Sequence, residues 1–292
     1  MDLLGGRGVV VSGGSRGIGR AVTELMCELG AGVVVNGRDA DAVGETVAVI
    51  AASGGRITPV VGAADDERVA GALIDECLNT FGRFDALINC AGIAEPPGSS
   101  ILNISPADFD HLISAHLGTA FHTSQVAARV MAAQGHGAII NTGSVAFLGD
   151  YGGTGYPAGK GAVNGLTMAI AAELKPYGVR ANVVCPGART RLSTGAEYEQ
   201  HIADLHRRGL LDEMTMRASL DSAPATFVAP LYAYLASGLS RDVTGQIFVA
   251  AGGFVGSFDR PAPRVLAYRD HHTAEPWSVE DLHKMIGLPA PG

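Results

Sequence analysis

Short apolar, β-branched runs alternate with helical patterns along most of the chain, and this alternation constrains the fold more than any other feature. Val9-Val10-Val11 reads as a strand and Gly17 to Leu29 as a helix. Val33-Val34-Val35 is a second strand, followed by a helix over residues 40–52. Residues 57–61 read as a third strand and 67–81 as the next helix. The rhythm continues through Ala86-Leu87-Ile88, a long helical stretch over 106–133, Ala138-Ile139-Ile140, a helix over 156–174, and strands over 179–184 and 246–249. Strands apolar on both faces need cover on both faces, and strands joined through helices run parallel. Right-handed crossovers then give a doubly wound parallel sheet, an α/β, Rossmann-like single domain with a C-terminal extension.

The domain is expected over residues 1–253. Within it, 188–225 is a polar insertion with one helix near 197–208. A segment there lies over the carboxyl ends of the strands, where such sheets bind ligands, and so covers the substrate. Residues 254–292 are expected to be a tail that packs on the domain or on a neighbouring subunit. A short helix around 278–285 is marked by Ser278 as N-cap, with Asp281 three residues on.

Composition narrows the partners. With 21 basic and 29 acidic residues the formal charge is −8, against the basic face a nucleic-acid binder needs. No apolar run reaches the roughly 18 residues of a membrane span. The first six residues lack the basic start and long apolar stretch of a signal peptide. Cys27, Cys77, Cys90 and Cys185 are scattered without a CxxC pair, and read as buried small hydrophobes in a reducing cytoplasm. The nine histidines show no metal-ligand spacing, so no metal site is expected.

The first strand runs straight into Ser12-Gly13-Gly14-Ser15-Arg16-Gly17-Ile18-Gly19 and then a helix. Gly13 allows a tight turn, and Gly17 and Gly19 let a pyrophosphate approach the helix N-terminus, whose free N–H groups and dipole favour an anion. The second strand ends Val35-Asn36-Gly37-Arg38, with no acid to hold a ribose 2′-hydroxyl. Arg38 suits a 2′-phosphate, and Arg16 adds a second positive charge. NADP(H) is therefore preferred, with NAD(H) possible. The bland alternative is that Arg38 is a solvated loop charge; Asp39 lies one residue late for the usual acid but within reach.

The most specific signal is Tyr156-Pro157-Ala158-Gly159-Lys160 with Ser144 twelve residues upstream. Residues i and i+4 share a helix face, so Tyr156 and Lys160 project together. A neighbouring ammonium stabilises a phenolate and lowers its pKa. Ser144, at the end of the fifth strand, can donate to a substrate carbonyl. The trio suits proton transfer coupled to hydride transfer.

On these residues the chain resembles the short-chain dehydrogenase/reductase family over about residues 5–252. Gly13, Gly17 and Gly19 match its glycine motif. Asn89-Cys90-Ala91-Gly92 resembles its NNAG segment, which implies that Asn89, Ala91 and Gly92 steady the sheet and line the adenine-ribose side. The resemblance implies that Ser144 positions the carbonyl, Tyr156 is acid/base, and Lys160 binds the nicotinamide ribose. Ser15, Arg16, Ile18, Pro186, Gly187 and Thr190 complete the implied cofactor contacts. His116 stands where the family often has a relay Asn; neutral His both donates and accepts, so it can hold the same water. Gly62 replaces a frequent adenine-side Asp, and Pro157 after the Tyr is unusual but tolerated in a first helical turn. The resemblance further implies a homotetramer (or homodimer) built through the long helices and the last strand.

The context of His116 and the tail are loosely similar to (3R)-hydroxyacyl-CoA dehydrogenase and 3-oxoacyl reductase units. The leading substrate class is then a 3-hydroxyacyl or 3-oxoacyl thioester, and the next a steroid-like lipophilic alcohol. Phe147, Leu148, Tyr151, Leu192, Leu210, Leu211, Met214 and Met216 are candidates to line an apolar pocket. The rival reading is a catalytically silent NADP(H)-binding sensor or scaffold.

Overall fold

The structure, a computed structural model, describes residues 2–191, 193–259 and 262–286. Elements alternate as β1 (Gly8–Ser12), α1 (Gly17–Glu28), β2 (Gly32–Gly37), α2 (Ala40–Ala52), β3 (Arg56–Val61), α3 (Glu67–Phe81) and β4 (Ala86–Asn89). Then follow α4 (Pro106–Ile113), a π-helical turn (Ser114–Gly118), α5 (Thr119–Gln134), β5 (Gly137–Thr142), α6 (Gly155–Leu174) and β6 (Val179–Gly187). The chain continues through α7 (Ala196–Arg207), α8 (Glu213–Leu220), α9 (Ala229–Ala236), β7 (Ile247–Ala251) and β8 (Phe254–Phe258). The strand order is β3-β2-β1-β4-β5-β6-β7-β8. The order reverses between β1 and β4, and that switch point opens a crevice at the carboxyl ends of the strands.

The valine triplets explain the two-sided burial. Val9 and Val11 point to one face, with Val22 and Met26 of α1 and Tyr232 and Leu235 of α9. Val10 points to the other, with Leu73 and Ile74 of α3 and Met131 of α5. This is the period of two of a strand. All three valines are fully buried, a transfer worth about 1.5–3 kcal/mol per side chain.

Three features depart from the sequence reading. Pairs β1 to β7 are parallel, but β8 turns back through Gly252 (φ +54°) and pairs antiparallel with β7. Periodicity did not mark it because Phe254–Phe258 is a half-exposed edge interrupted by Gly256. The expected single helix over 106–133 is α4 and α5 joined by a π turn that carries His116. Helices α8 and α9 were not anticipated.

The described chain divides into two compact units, one ending at Phe258 and one from Asp259 on. In the second, helix α10 (Val279–Ile286) begins at Ser278, whose hydroxyl accepts from Asp281 N while Asp281 accepts from Ser278 N. The Arg269 guanidinium lies 3.7 Å from the Trp277 ring centroid and donates to the Glu275 and Pro276 carbonyls. Among the described residues no helix is long and apolar enough to cross a membrane.

Candidate active site

The glycine loop between β1 and α1 is packed so closely that side chains are excluded. A Cβ on Gly13 (φ +66°) would lie 2.6 Å from Ala91 Cα, and one on Gly19 would lie 2.1 Å from the Gly13 carbonyl oxygen. Gly17 (φ +52°) instead faces Thr190, whose Cγ2 is 3.4 Å from where its Cβ would be. Loop, Ala91 and Thr190 therefore form one cradle at the amino end of α1, which is the shape and polarity a pyrophosphate requires. Ile18 packs into the core beneath. The Ser15 carbonyl accepts from Thr46 of α2. Pro186 and Gly187 are the last residues of β6, paired to Ala250 and Ala251.

Beneath the crevice runs a seam of buried polar side chains. The Ser12 hydroxyl donates to Asn89 Oδ1 at 2.8 Å, as does Thr123 at 3.0 Å. Asn89 Nδ2 donates to Asn141 Oδ1 at 2.8 Å, and Asn141 Nδ2 to the Thr167 hydroxyl at 2.9 Å. The amide of Asn89 thus joins β1, β4 and β5.

On the adenosine side, Arg16 is not a free second cation, because its guanidinium pairs with Asp39. The other Asp39 oxygen caps α2 by accepting from Ala42 N at 3.1 Å. These bonds, the Ala42 one foremost, hold the Asp39 carboxyl below its usual range. Arg38 is exposed and enters no salt bridge among the described residues. The neighbouring cleft of about 350 Å³ is lined by Ser15, Arg16, Arg20, Asp39, Asp41, Ala42 and Glu45.

Past β5, Ser144 meets Tyr156 and Lys160 from the first turns of α6. Lys160 is 5% exposed and donates from Nζ to the Thr142 carbonyl at 2.9 Å. Its ammonium lies 5.8 Å from the centroid of the Tyr156 ring, so the two do share one helix face. Burial lowers the Lys160 pKa to about 8. The expectation for Tyr156 is corrected: its pKa is raised, because burial disfavours the phenolate more than the Ser144 hydrogen bond favours it. The lysine ammonium is bonded to the Thr142 carbonyl while it lies over the Tyr156 ring.

His116 is 3% exposed, on the π turn, a feature that recurs at functional sites. Its ring meets that of Tyr156 edge-on at 5.0 Å. Glycines make room for it: a Cβ on Gly92 would lie 3.0 Å from His116 Cε1, and one on Gly159 3.1 Å from His116 Cβ. Neither ring nitrogen has a hydrogen-bond partner of good geometry. Burial, then Lys160, pushes the pKa down to about 3, so the imidazole is neutral at neutral pH. A buried polar pair without partners is what a bound water satisfies.

Of the residues proposed for an apolar pocket, Tyr151, Leu211 and Met216 gather around Ile202, Leu205 and Tyr198 where α7 packs on α8. Leu148, Leu210 and Met214 are exposed, and Phe147 meets Phe258 edge-on instead. Leu192 lies outside the described residues. One residue was missed: Glu95, in the segment after β4, binds the start of α6. The four cysteines are free thiols. One set of metal-capable side chains, Asp270, His271 and His272, lies together within 4.8 Å in the second unit, mostly exposed.

Fold and site define a Rossmann-type α/β protein with a dinucleotide cradle beside a Ser–Tyr–Lys cluster. The short chain dehydrogenase profile matches residues 7–200. A crystal structure of a short chain dehydrogenase from Mycobacterium avium superposes with a TM-score of 0.79 at 30% identity, covering 98% of this chain and 94% of that one. A 3alpha-hydroxysteroid dehydrogenase of Mediterraneibacter gnavus is 32% identical over 86% of this chain and 97% of its own length. The (2S)-[(R)-hydroxy(phenyl)methyl]succinyl-CoA dehydrogenase subunit BbsD of Thauera aromatica is 30% identical over 85% of this chain and 96% of its own. The chain belongs to the short-chain dehydrogenase/reductase family. It is an oxidoreductase acting on CH–OH groups, in a family that uses NAD(H) or NADP(H), and this sets aside the silent sensor.

Proposed function

We propose that the chain interconverts a secondary alcohol and a ketone with NADP(H), Tyr156 exchanging the proton. The carrying observation is the convergence of Ser144, Tyr156 and Lys160 past β5, two strands from the glycine cradle. A bound nicotinamide dinucleotide supplies or accepts the hydride. Ser144 donates to the substrate oxygen and orients it. Tyr156 gives its proton to that oxygen in reduction and takes it back in oxidation. Lys160 has three donors; one is held by Thr142, which leaves two for ribose hydroxyls. The raised Tyr156 pKa favours the protonated phenol that reduction needs.

His116 serves as the relay group in place of Asn, accepting or donating through a water without carrying charge. Replacing it by Leu should cost about 10²-fold in kcat, whereas Asn should keep kcat within about tenfold. Equal turnover of wild type and His116→Leu removes His116 from the relay. The same burial sets a stability slope. The His116 contribution is complete above an unfolded pKa of about 6.5 and is lost as pH falls from there toward about 3. Denaturation midpoints of His116→Asn should therefore fall less between pH 6.5 and 4 than those of wild type.

Preference for NADP(H) rests on Arg38, the exposed guanidinium at the end of β2, since Arg16 and Asp39 occupy one another. Arg38→Ala should weaken NADPH about tenfold or more and leave NADH unchanged, as titration calorimetry would measure. Equal loss for both, or none for NADPH, overturns the preference.

The leading substrate is a 3-oxoacyl or 3-hydroxyacyl thioester, and the second a steroid; the two relatives named above act on one of each class. A groove of about 710 Å³ lies between Pro97–Gly98 and α7, its wall carrying Glu197 and Asp204 as well as His201 and Arg207, with Arg207 paired to Asp204. Initial rates on acyl-CoA and steroid panels decide between them. The assembly proposed is a homotetramer or homodimer, with β8 rather than β7 at the free sheet edge and Phe254 and Val255 exposed there.

A further inference from the structure

Helix α6 starts with a cap residue, Thr154, whose side chain makes no capping bond. A helix leaves its first four N–H groups without intrahelical partners. Here those groups belong to Thr154, Gly155, Tyr156 and residue 157. Glu95 takes all that exist: Oε1 accepts from Thr154 N at 2.9 Å and Gly155 N at 3.2 Å, and Oε2 from Tyr156 N at 2.5 Å. The fourth position is Pro157, which has no N–H to leave over. Ser99 donates to Oε1 at 3.0 Å and fixes the carboxylate from its own loop. Gly153 lets it in, since a Cβ there would lie 3.1 Å from Glu95 Cδ. One side chain, 61 residues away in sequence, thus satisfies the whole first turn, including the backbone of Tyr156 itself.

We infer that Glu95 is a positioning residue for Tyr156: it clamps the turn that carries the phenol and ties it to the segment leaving β4. The inference rests on the proposed proton-exchange role of Tyr156. Packing alone does not explain a half-buried carboxylate whose two oxygens are shared among three backbone N–H groups at one helix end. A clamp on the residue that must meet the substrate oxygen does, because small misplacement of a reacting group costs orders of magnitude in rate. The charge has a second effect. An anion on the positive helix end offsets the field that would otherwise favour the phenolate of Tyr156. The other groups facing that phenol are Ser144, His116, Lys160, Cys185 and Tyr198.

The experiment compares Glu95→Ala, Glu95→Ala with Thr154→Asp, and Tyr156→Phe in the full chain. In Glu95→Ala, kcat should fall about tenfold or more while the Kd of the dinucleotide stays within twofold. The midpoint of its alcohol-oxidation pH profile should move down by about half a unit, since the offsetting anion is gone. Thr154→Asp supplies a cap carboxylate to Tyr156 N from within the helix and should restore kcat at least threefold. An unchanged kcat and midpoint, a loss that follows dinucleotide affinity, or failure of Thr154→Asp to restore turnover overturns the inference. Full turnover by Tyr156→Phe would instead sink the role of Tyr156 on which it rests.

Discussion

Tyr156→Phe should lose turnover by about 10³-fold while binding the dinucleotide as wild type does. Proton transfer by a placed side chain is worth roughly 10²–10⁴-fold, and this substitution removes the only group proposed to perform it. The fold should not suffer. The ring stays, along with its edge-on contact with His116 at 5.0 Å, and only the hydroxyl is lost. The hydroxyl is also the partner of Ser144, so that serine is freed for water and no charge is stranded. Stopped-flow and steady-state rates, with dinucleotide affinity by fluorescence titration, measure both halves. Residual turnover above about a tenth of wild type would show that another group moves the proton.

Gly19→Ala should abolish cofactor binding by a different route. The added methyl would sit 2.1 Å from the Gly13 carbonyl oxygen and 2.8 Å from its carbon. Both atoms are backbone, so no side chain can swing aside. The loop must open, and the Gly13 turn that abuts Ala91 opens with it. Overpacking of this kind costs about 1–3 kcal/mol or more. Dinucleotide affinity should fall at least about 100-fold, and the thermal midpoint should drop. Wild-type affinity in this variant would mean that the cradle is not where the pyrophosphate lies.

These two sites were legible in the sequence because each is a local pattern. The spacing of Tyr156 and Lys160 needs only helix geometry, and the glycine loop needs only a strand before it and a helix after it. The strands were legible for a similar reason: Val9–Val11 and Val33–Val35 are buried on both faces and so are apolar throughout. What escaped was set by tertiary surroundings. Helix α9, Ala229–Ala236, is apolar nearly all round and carries Pro230 in its first turn, so it has no stripe to reveal it. Glu95 sits in a Pro- and Gly-rich stretch and reads as a solvated charge; only the fold brings it to α6. The Tyr156 pKa went against expectation because charge proximity along a helix says nothing of how dry the phenol is. Arg16 was counted as a free cation because its pairing with Asp39, 23 residues on, depends on how β2 sits beside the loop.

The seam from Ser12 through Asn89 and Asn141 to Thr167 has a mechanical consequence. It stitches the strand that leads into the cofactor loop to the helix that carries the proton donor, at residues 155 positions apart in the chain. Neither half of the crevice can loosen alone without stranding buried amides, so the floor behaves as one slab. The segment after β6 is held differently, α7 and α8 packing on one another through a small apolar patch around Ile202, Leu205 and Leu211.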